Sequence, residues 1–457
     1  MKNLSASFRD PSGHLFWQDG ELYRSVEPSY AAEYDLLMSS GLYDALIEKG
    51  LMVRHDEVGI GIESYRTLKP ELVPYISYPY EWSFNQLKDA ALLTLQVNRE
   101  ALKYGMSLKD ASAYNVQFLR GKPVFIDTLS FETYVEGNPW IAYKQFCQHF
   151  LAPVALSARR DFRLTHLLKA YIDGIPLDLA SSLLPRLSWL SYSLLAHIHL
   201  HAMSQRRYED VGRAGDGPRK VLIGRLQYEG LIGSLERAVS SLSWKYASTE
   251  WGSYYDDTNY DDEAMLKKTE LVTRFLEASR SDQPQVAADF GANTGRFSRL
   301  ASDLGYLTLA FDIDEVAVDK NYQQVKTANE ENLLPLILDL SNPSPGLGWM
   351  HQERDSFVDR QEIDVGVALA IIHHLAISNN VPLASIGEFF ARCCRRLIIE
   401  FVPKADSQVR RLLATREDIF NNYDEEGFEA AFGQYFTIVT AEKVTGSERT
   451  LYLLERN

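Results

Sequence analysis

The residues with the clearest chemical pattern lie in a glycine turn that follows an acidic side chain. Residues 286–297 read VAADFGANTGRF, in which Asp289 precedes Gly291, Asn293 and Gly295. Glycine allows positive φ and a close approach of the backbone to a ligand. A dinucleotide-binding turn of the form GxGxxG holds a pyrophosphate, which a carboxylate two residues before the first glycine would repel. The pattern therefore favours a ligand that carries positive charge, such as one with an amino group and a sulfonium.

Further side chains follow at spacings that suit one parallel sheet. Asp312 ends the run LTLAFD, and Asp339 follows the run LLPLIL. The next apolar run, IDVGVALAII, contains Ala370. Short apolar runs of this kind predict buried strands. Because open α/β sheets bind ligands at the carboxyl ends of their strands, we expect these residues to line the same site as the glycine turn.

Three candidates for proton transfer lie at the same edge. His373 and His374 follow the run IDVGVALAII, and Glu400 ends the run LIIE. A histidine or a carboxylate there could take a proton from a substrate hydroxyl or amine. Since neighbours in an extended segment point to opposite sides, we expect one of the two histidines to face a substrate. The alternatives are a histidine that caps the next helix or packs beneath a ligand, and a glutamate that holds the loop.

In their order and spacing, these motifs resemble those of class I S-adenosylmethionine (SAM)-dependent methyltransferases, with Asn293 where many members have glycine. In that family, the acidic residue matched by Asp312 takes both ribose hydroxyls, and the position matched by Asp339 contacts adenine. The combination of DFGANTG, HHL and EFVPK is similar, more narrowly, to bacterial nodulation proteins of the methyltransferase type. The resemblance implies SAM as cofactor, bound by Asp289, Gly291, Asn293, Gly295, Asp312, Asp339 and Ala370.

Strands that alternate with helices over residues 281–457 predict an α/β domain with a mainly parallel sheet. The last two strand-like runs, joined by residues 445–447, predict a terminal antiparallel hairpin. The resemblance makes this a Rossmann-like, seven-stranded methyltransferase domain that acts on an O, N or C nucleophile of a small-molecule acceptor. The alternatives are an inactive domain of the same fold and a scaffold that only binds partners.

Residues 211–280 are predicted to form a linker and an aromatic cap. Residues 211–220, VGRAGDGPRK, have the glycines, the proline and the mixed charge of a linker. Downstream, four aromatic side chains stand close together: Trp251, Tyr254, Tyr255 and Tyr260. Such rings could exclude water from the site and stack on a substrate or on adenine. They could equally form an ordinary hydrophobic clasp between domains.

Residues 1–210 contain a second acidic constellation. Asp110 is followed by Asn115 and, after two strand-like runs, by Asp127. The spacing resembles that of protein and aminoglycoside kinases, in which the first Asp accepts the substrate proton and the Asn and second Asp bind metal. The resemblance implies an α+β kinase-like domain, β-rich over residues 1–80 and helical over residues 81–210.

The kinase pattern is eroded. Leu108 replaces the catalytic-loop histidine, Thr-Leu replaces Phe-Gly after Asp127, and the sequence has no recognisable glycine-rich loop or third-strand lysine. We therefore expect a substrate-recognition or scaffold domain. One alternative is a phosphotransferase, or a bifunctional kinase–methyltransferase, that uses Asp110, Asn115 and Asp127. Another is a helical domain in which Asp110 and Asn115 are ordinary turn residues.

Composition excludes other classes of function. The 457 residues carry a net charge of −15, so we expect no nucleic-acid partner. The three cysteines, two of them adjacent, disfavour a disulfide framework and a cysteine–zinc site. His197 and His201 would share a helix face, but no third ligand has a matching spacing, so we predict core or surface histidines and no metal.

The longest apolar run, residues 187–203, has 17 residues and three histidines. It is marginal for a membrane span of about 20 residues, so we predict a helix buried among other helices. The N-terminal residues lack the apolar core of a signal peptide. Together with the sparse cysteines, these features predict a cytoplasmic protein without a membrane segment, and the patterns leave its oligomeric state open.

Overall fold

The computed structural model describes residues 2–59, 63–203, 222–246, 262–283, 285–360, 362–414 and 416–457. The chain divides into two compact units. Unit 1 is Met1–Tyr246 together with Gly346–Arg354, and unit 2 is Ala247–Pro345 together with Asp355–Asn457. The main boundary therefore lies within residues 211–280, and a short segment from between two strands of unit 2 belongs to unit 1.

Unit 1 begins with a five-stranded antiparallel sheet in the order β1-β2-β3-β5-β4. Its strands are Lys2–Asn3 (β1), Leu15–Gln18 (β2), Glu21–Val26 (β3), His55–Glu57 (β4) and Arg66–Pro70 (β5). Asp19 and Gly20 join β2 to β3 with φ of 52° and 81°, which confirms the hairpin that Asp-Gly favours. The first 80 residues are less purely β than predicted, because the helices Ala31–Ser39 and Leu42–Glu48 lie between β3 and β4.

The rest of unit 1 is mainly helical, as predicted. Its longest helix, Phe84–Lys103, begins at Ser83, which exchanges reciprocal side-chain and backbone hydrogen bonds with Gln86. Four short strands form two antiparallel ribbons, β6 with β9 and β7 with β8: Met106–Leu108 (β6), Val116–Leu119 (β7), Lys122–Phe125 (β8) and Phe131–Thr133 (β9). Other α-helices among the described residues of this unit are Tyr143–Phe146, Ala152–Arg159, Leu167–Ala170, Leu177–Leu183, Tyr192–Leu194 and Arg225–Ser241, and residues 200–203 are also α-helical.

The apolar run at residues 187–203 does not form the single buried helix that we predicted. It is divided between a 3₁₀ helix (Arg186–Leu190) and a helical segment over residues 192–203, which consists of a short α-helix (Tyr192–Leu194), a π-helix (Leu195–His199) and a further α-helical turn at residues 200–203. The Ser188 hydroxyl donates to the Pro185 carbonyl (2.6 Å), a local bond that competes with a continuous helix. In the described ranges, no helix combines the length and the apolar character that crossing a bilayer requires.

Two of the three histidines of this run are core residues, and the third, His201, is half-buried. His197 is buried, and its Nδ1 and Nε2 lie 2.8 Å from the Tyr143 hydroxyl and 2.9 Å from the Ser234 hydroxyl. His199 is also buried, and each of its ring nitrogens meets a serine hydroxyl at 2.8 Å. These hydrogen bonds occupy the ring nitrogens that a metal would need, in agreement with the predicted core role.

Unit 2 is built on the predicted seven-stranded sheet. Its strands are Val286–Phe290 (β10), Leu307–Asp312 (β11), Leu333–Ile337 (β12), Ile363–Ala368 (β13), Cys394–Phe401 (β14), Phe436–Lys443 (β15) and Thr450–Arg456 (β16). They lie in the order β12-β11-β10-β13-β14-β16-β15, with β10 to β14 mutually parallel. The strand β16 is antiparallel to both β14 and β15, which confirms the terminal hairpin.

Helices connect the parallel strands and cover the sheet. They are Asp262–Ala278, Arg296–Asp303, Glu315–Ala328, Phe357–Arg360, Leu383–Cys393, Ser407–Leu413 and Glu425–Phe432. Val365 and Val367 of β13 pack in one buried cluster with Ile398 of β14 and Phe275 of the first helix. In the parallel register Phe290 is the partner of Phe311, so the turn after β10 and Asp312 at the end of β11 meet at one edge.

Candidate active site

The glycine turn after β10 has the conformation that its sequence indicates. Gly291 and Gly295 have φ of 80° and 83°, and a Cβ at Gly291 would lie 2.5 Å from Ile371 Cγ2. A Cβ at Gly295 would lie 2.6 Å from Asn321 Nδ2. Asn293 has φ of 49°, a left-handed conformation that asparagine tolerates better than most residues. This explains how asparagine can stand where the resembled family often has glycine.

Two buried carboxylates flank the turn. Asp289, in β10, accepts a hydrogen bond from the Ser298 hydroxyl (2.6 Å), and burial raises its pKa to about 7. Asp312 accepts from the backbone amides of Asn293 (2.7 Å) and Asp314 (2.8 Å), and burial raises its pKa to about 6. Burial disfavours the charged form of a carboxyl group, so both residues would be stabilised by a bound cation or by hydroxyl donors.

The turn and the carboxylates fit SAM. An ionised carboxylate offers about four acceptor positions, so Asp312 can accept two hydroxyls besides its two backbone amides. Asp314 Oδ2 is buried without a hydrogen-bond partner in the described part of the chain, which adds an acceptor at the same strand end. The glycines pack directly against Ile371 and Asn321, which fixes the turn beside these carboxylates. These negatively charged acceptor groups therefore suit a cationic ligand with a diol and do not suit a pyrophosphate.

Asp339 and Ala370 lie just beyond β12 and β13. Asp339 accepts from the Ser341 amide (2.8 Å) and hydroxyl (2.6 Å), so it also caps its own turn. Ala370 has φ of 55°, which a non-glycine residue adopts only at an energetic cost and which clusters at functional sites. It directly precedes Ile371, the residue that faces Gly291. Sequence placed Ala370 near the site, but its strained backbone was not foreseen.

The two histidines lie in a helical turn rather than in the extended segment that we expected. The π-helix His374–Ser378 begins there, and the imidazole centroids of His373 and His374 are 4.2 Å apart, so the rings are neighbours. His373 is 1% exposed, and its Nδ1 has no hydrogen-bond partner among the described residues. Burial, followed by the charges of His374, Arg449 and Lys268, lowers the pKa of His373 well below its usual value.

Glu400 is part of a buried ion network. Lys268 Nζ lies 2.8 Å from Oε1 and 2.9 Å from Oε2 of Glu400, and Arg449 Nη1 lies 3.5 Å from Oε2. Arg449 Nε also lies 2.8 Å from Asp406 Oδ2. Both Glu400 oxygens therefore already face cations. This geometry matches the alternative in which Glu400 holds the structure rather than accepts a substrate proton.

Sequence reasoning missed Lys268 and Arg449. Lys268 follows Met265 by three residues and precedes Val272 by four, so it lies on the apolar face of the helix Asp262–Ala278. A lysine on such a face predicts a buried ion pair, because a buried cation requires a buried anion. Arg449 follows Ser447 in the hairpin turn and has no comparable signal in the sequence.

A cleft of about 550 Å³ lies in unit 2, where β14 ends. Its lining includes the aromatic residues Phe401 and Tyr423, and four acidic side chains in the lining outnumber two lysines. The charged lining residues are Lys404, Asp424, Glu425, Glu426, Lys443 and Glu448. The predicted cap residues Trp251, Tyr254, Tyr255 and Tyr260 lie outside the described residues.

In unit 1 the three kinase-type residues converge. Asn115 Nδ2 donates to Ser130 Oγ (3.0 Å), and Ser130 Oγ donates to Asp127 Oδ2. Burial and the nearby charge of Asp127 raise the pKa of Asp110, while hydrogen bonds from Ser112, Gln145 and Asn115 oppose that rise. The spacing recognised in the sequence thus corresponds to one cluster.

Comparison with known proteins gives one full-length relative. Nodulation protein NoeA of Rhizobium meliloti (strain 1021) is 36% identical over 466 residues, which cover 99% of this chain and 96% of that protein. No family model matches the sequence.

Solved structures with local likeness include methyltransferases. Magnesium protoporphyrin IX methyltransferase of Synechocystis PCC 6803 with bound SAH is 17% identical, covering 45% of this chain and 93% of its own, with a TM-score of 0.33. N-methyltransferase NodS of Bradyrhizobium japonicum WM9 is 12% identical, covering 43% and 98%, with a TM-score of 0.31. The bifunctional kinase-methyltransferase WbdD is 12% identical with a TM-score of 0.30; the match covers 46% of this chain and 42% of WbdD, less than half of that protein.

Proposed function

The chain belongs to the family of nodulation protein NoeA, and we propose that it is an enzyme, a SAM-dependent methyltransferase that acts on a small-molecule acceptor. One observation carries the proposal. Two buried carboxylates, Asp289 and Asp312, flank a turn with positive-φ glycines at the carboxyl ends of adjacent parallel strands. That combination suits a cationic nucleoside and disfavours a pyrophosphate.

Each part of the site has a proposed share in cofactor binding. Asp312 holds the ribose hydroxyls, and Asp289 faces the amino end of the methionine moiety. Asp339 lies on the side of adenine, and Ala370 lies beside the glycine turn. When bound, the cofactor would supply an electrophilic methyl group on a sulfonium, and its neutral thioether would be the leaving group as the acceptor lone pair bonds to the methyl carbon. The protein would then contribute to catalysis mainly by positioning the cofactor and the acceptor in a pocket from which water is excluded.

His373 is proposed to act on the acceptor. Its lowered pKa keeps the imidazole neutral at physiological pH, and its Nδ1 has no hydrogen-bond partner among the described residues. A neutral imidazole can accept a hydrogen bond from an acceptor hydroxyl or amine and orient its lone pair. A hydroxyl oxygen that still carries its proton after methylation is an oxonium and strongly acidic, so even a weak base can remove that proton. His374, half-buried and adjacent, is the other candidate for this role.

Glu400 is proposed to hold this edge of the sheet. Its carboxylate pairs with Lys268 from the helix Asp262–Ala278 and with Arg449 from the terminal hairpin. These ion pairs thereby hold together β14, the helix Asp262–Ala278 and the terminal hairpin around the histidines, although the three elements are far apart in the sequence. The cleft beyond β14 is a candidate for the acceptor, and its excess of acidic side chains favours an acceptor with amino or hydroxyl groups.

Two measurements on the full chain test the proposal. Calorimetry with SAM and with its demethylated product should give binding at one site, and replacement of Asp312 should weaken both. A screen of amine- and hydroxyl-bearing acceptors with isotopically labelled SAM should find a product heavier by one methylene group. Absence of SAM binding in the folded protein would contradict the proposed function.

A further inference from the structure

Unit 1 places a cation where a kinase would bind a metal ion. Arg24 lies in β3, and its Nη2 is 2.8 Å from Asp127 Oδ1 and 2.5 Å from Asp10 Oδ2. The Arg24 and Asp127 side chains are only 12% and 14% exposed. In the kinase arrangement that Asp110, Asn115 and Asp127 resemble, the second aspartate is a metal ligand. Here that aspartate already has a positive partner.

The position of Arg24 is firmly set by its strand. In the sheet, Arg24 pairs with Leu15 of β2 on one side and with Leu68 of β5 on the other. The backbone of β3 therefore has a fixed register on both edges, and the guanidinium enters the cluster from a rigid element. Arginine suits this position because its planar fork can bridge two carboxylates and stays charged at any physiological pH.

The oxygens of Asp127 are already engaged. Oδ1 faces Arg24 and accepts from the Leu129 amide (3.2 Å), and Oδ2 accepts from the Ser130 hydroxyl. Mg²⁺ requires oxygen ligands at about 2.0–2.1 Å in near-octahedral geometry. These partners take three of the about four acceptor positions of the carboxylate, so a divalent ion that bound at Oδ1 would have to displace the guanidinium.

The neighbouring hairpin offers little to a phosphate. In kinases a glycine-rich loop between the first strands covers the nucleotide phosphates with backbone amides. In unit 1 the turn between β2 and β3 is the two-residue Asp19-Gly20, and the next residue, Glu21, is also acidic. Glu21 pairs with Lys69 of β5, so the nearest lysine on the adjacent strand is bound elsewhere.

We propose that Arg24 is a built-in cation that takes the place of the divalent metal beside Asp127, so that unit 1 holds its kinase-like loop without Mg²⁺ or a nucleotide. The ion pair Asp10–Arg24–Asp127 and the chain of hydrogen bonds through Ser130 to Asn115 then form a permanent structural element. Removal of the guanidinium would leave Asp10 and Asp127 facing each other, which is the donor set of a hard cation. In the wild type the Arg24 guanidinium thus occupies the position of a metal ion, and Arg24→Gln would make that position available to a metal ion.

Thermal unfolding of the full chain tests this proposal. The wild-type midpoint should be unchanged by EDTA, by Mg²⁺ and by Mg²⁺ with ATP. Arg24→Gln should lower the midpoint by about 5 °C or more, because it removes the shared partner of two carboxylates in a largely buried ion network. Millimolar Mg²⁺ or Mn²⁺ should recover part of that loss, and adding Asp127→Asn to Arg24→Gln should abolish the recovery. The matched control is Arg66→Gln, which breaks an ion pair with Glu57 in which both side chains are 43% exposed.

Several outcomes would overturn the proposal. One is stabilisation of the wild type by Mg²⁺ and ATP that disappears in Asp127→Asn, since the aspartate would then be a working metal ligand. Another is a folded Arg24→Gln protein as stable as the wild type, or one that neither Mg²⁺ nor Mn²⁺ stabilises. If Arg24→Gln does not fold, Mn²⁺ binding to the wild-type protein tests the proposal instead, and we expect no binding. Arg24→Lys should fold, and its unfolding midpoint should not change when Mg²⁺ or Mn²⁺ is added.

Discussion

Lys268 and Glu400 form an ion pair that is almost completely excluded from solvent. Lys268 Nζ lies within 2.9 Å of both carboxylate oxygens, and the two side chains are 4% and 0% exposed. The pair joins the helix before the sheet to the end of β14. Two charges buried together in this way are tolerated because each satisfies the other.

Loss of the lysine alone should therefore be severe. Lys268→Met should lower the free energy of unfolding by about 3–5 kcal/mol, because it leaves the Glu400 charge buried with a weaker set of partners. Lys267→Met is the matched control, since Lys267 pairs with Glu270 on the exposed face of the same helix and should change stability by less than about 1 kcal/mol. Denaturant unfolding of both proteins measures the difference. Equal effects in the two variants would contradict the importance of the buried pair.

Asp312→Ala should weaken SAM binding by about 1.5–3 kcal/mol, roughly 10- to 150-fold, because the ribose hydroxyls would lose their charged acceptor. Calorimetry on the folded protein measures this change. Asp303→Ala is the control, because Asp303 is exposed at the end of the helix Arg296–Asp303. Unchanged affinity in Asp312→Ala would remove that residue from the cofactor site.

Gly291→Ala should be more harmful than Gly305→Ala. Both glycines have positive φ, which costs an alanine roughly 1–2 kcal/mol. Only at Gly291 would the new Cβ also collide, 2.5 Å from Ile371 Cγ2, whereas nothing lies within 4 Å at Gly305. We therefore expect a larger loss of stability and a loss of SAM affinity in Gly291→Ala alone. Identical behaviour of the two variants in unfolding and binding measurements would argue against close packing at the turn.

SAM affinity should rise with pH. The pKa values of Asp289 and Asp312, raised by burial to about 7 and about 6, mean that both carboxyls are largely protonated in the free protein at about pH 5. A cationic ligand favours the ionised forms, so binding should release protons and strengthen until about pH 8. The stability of the free protein depends on pH in the opposite direction to SAM affinity. The raised pKa values of Asp289 and Asp312 stabilise the folded state most below their ordinary pKa of 3.8, and this stabilisation is lost as pH rises through about 6–7.

Calorimetry in buffers of different ionisation enthalpy measures the proton release directly. In Asp289→Asn, SAM affinity should no longer rise with pH near pH 7, where Asp289 ionises. It should still rise near pH 6, where Asp312 ionises. An affinity that is constant between about pH 5 and pH 8 would show that neither carboxyl ionises on binding.

His373→Asn should reduce kcat by about 100-fold or more while SAM affinity stays near the wild-type value, because the proposed role concerns the acceptor. His374→Asn is the matched comparison, since the two rings are 4.2 Å apart. Steady-state kinetics with the acceptor found in the screen measures both. Full activity in His373→Asn combined with inactivity in His374→Asn would move the role to His374.

Local patterns were sufficient for much of unit 2. The alternation of apolar runs with helices predicts the parallel strands, and the spacing of Asp289, Gly291 and Asp312 predicts their meeting at one edge. Both inferences depend on residues that are close in the chain, because strand burial, helix periodicity and a positive-φ turn are set locally. The same holds for the Asp19-Gly20 hairpin in unit 1, whose turn type requires those residues.

Conformations at the strand ends were not predictable in the same way. His373 and His374 follow a strand in the sequence, yet they begin a π-helical turn, and Ala370 adopts positive φ although it is not glycine. Packing around the site imposes these conformations against the local preference, which is typical where strain is stored for function.

Only the tertiary structure decided which charges meet. Lys268 could be recognised as a cation on an apolar helix face, but its partner Glu400 lies 132 residues away. Arg24 is an ordinary strand arginine in the sequence, and its contacts with Asp127 and Asp10 arise because the fold brings β3 against the segments that carry these two aspartates. A buried charge must find an opposite one, but the chain's path determines which one lies within reach.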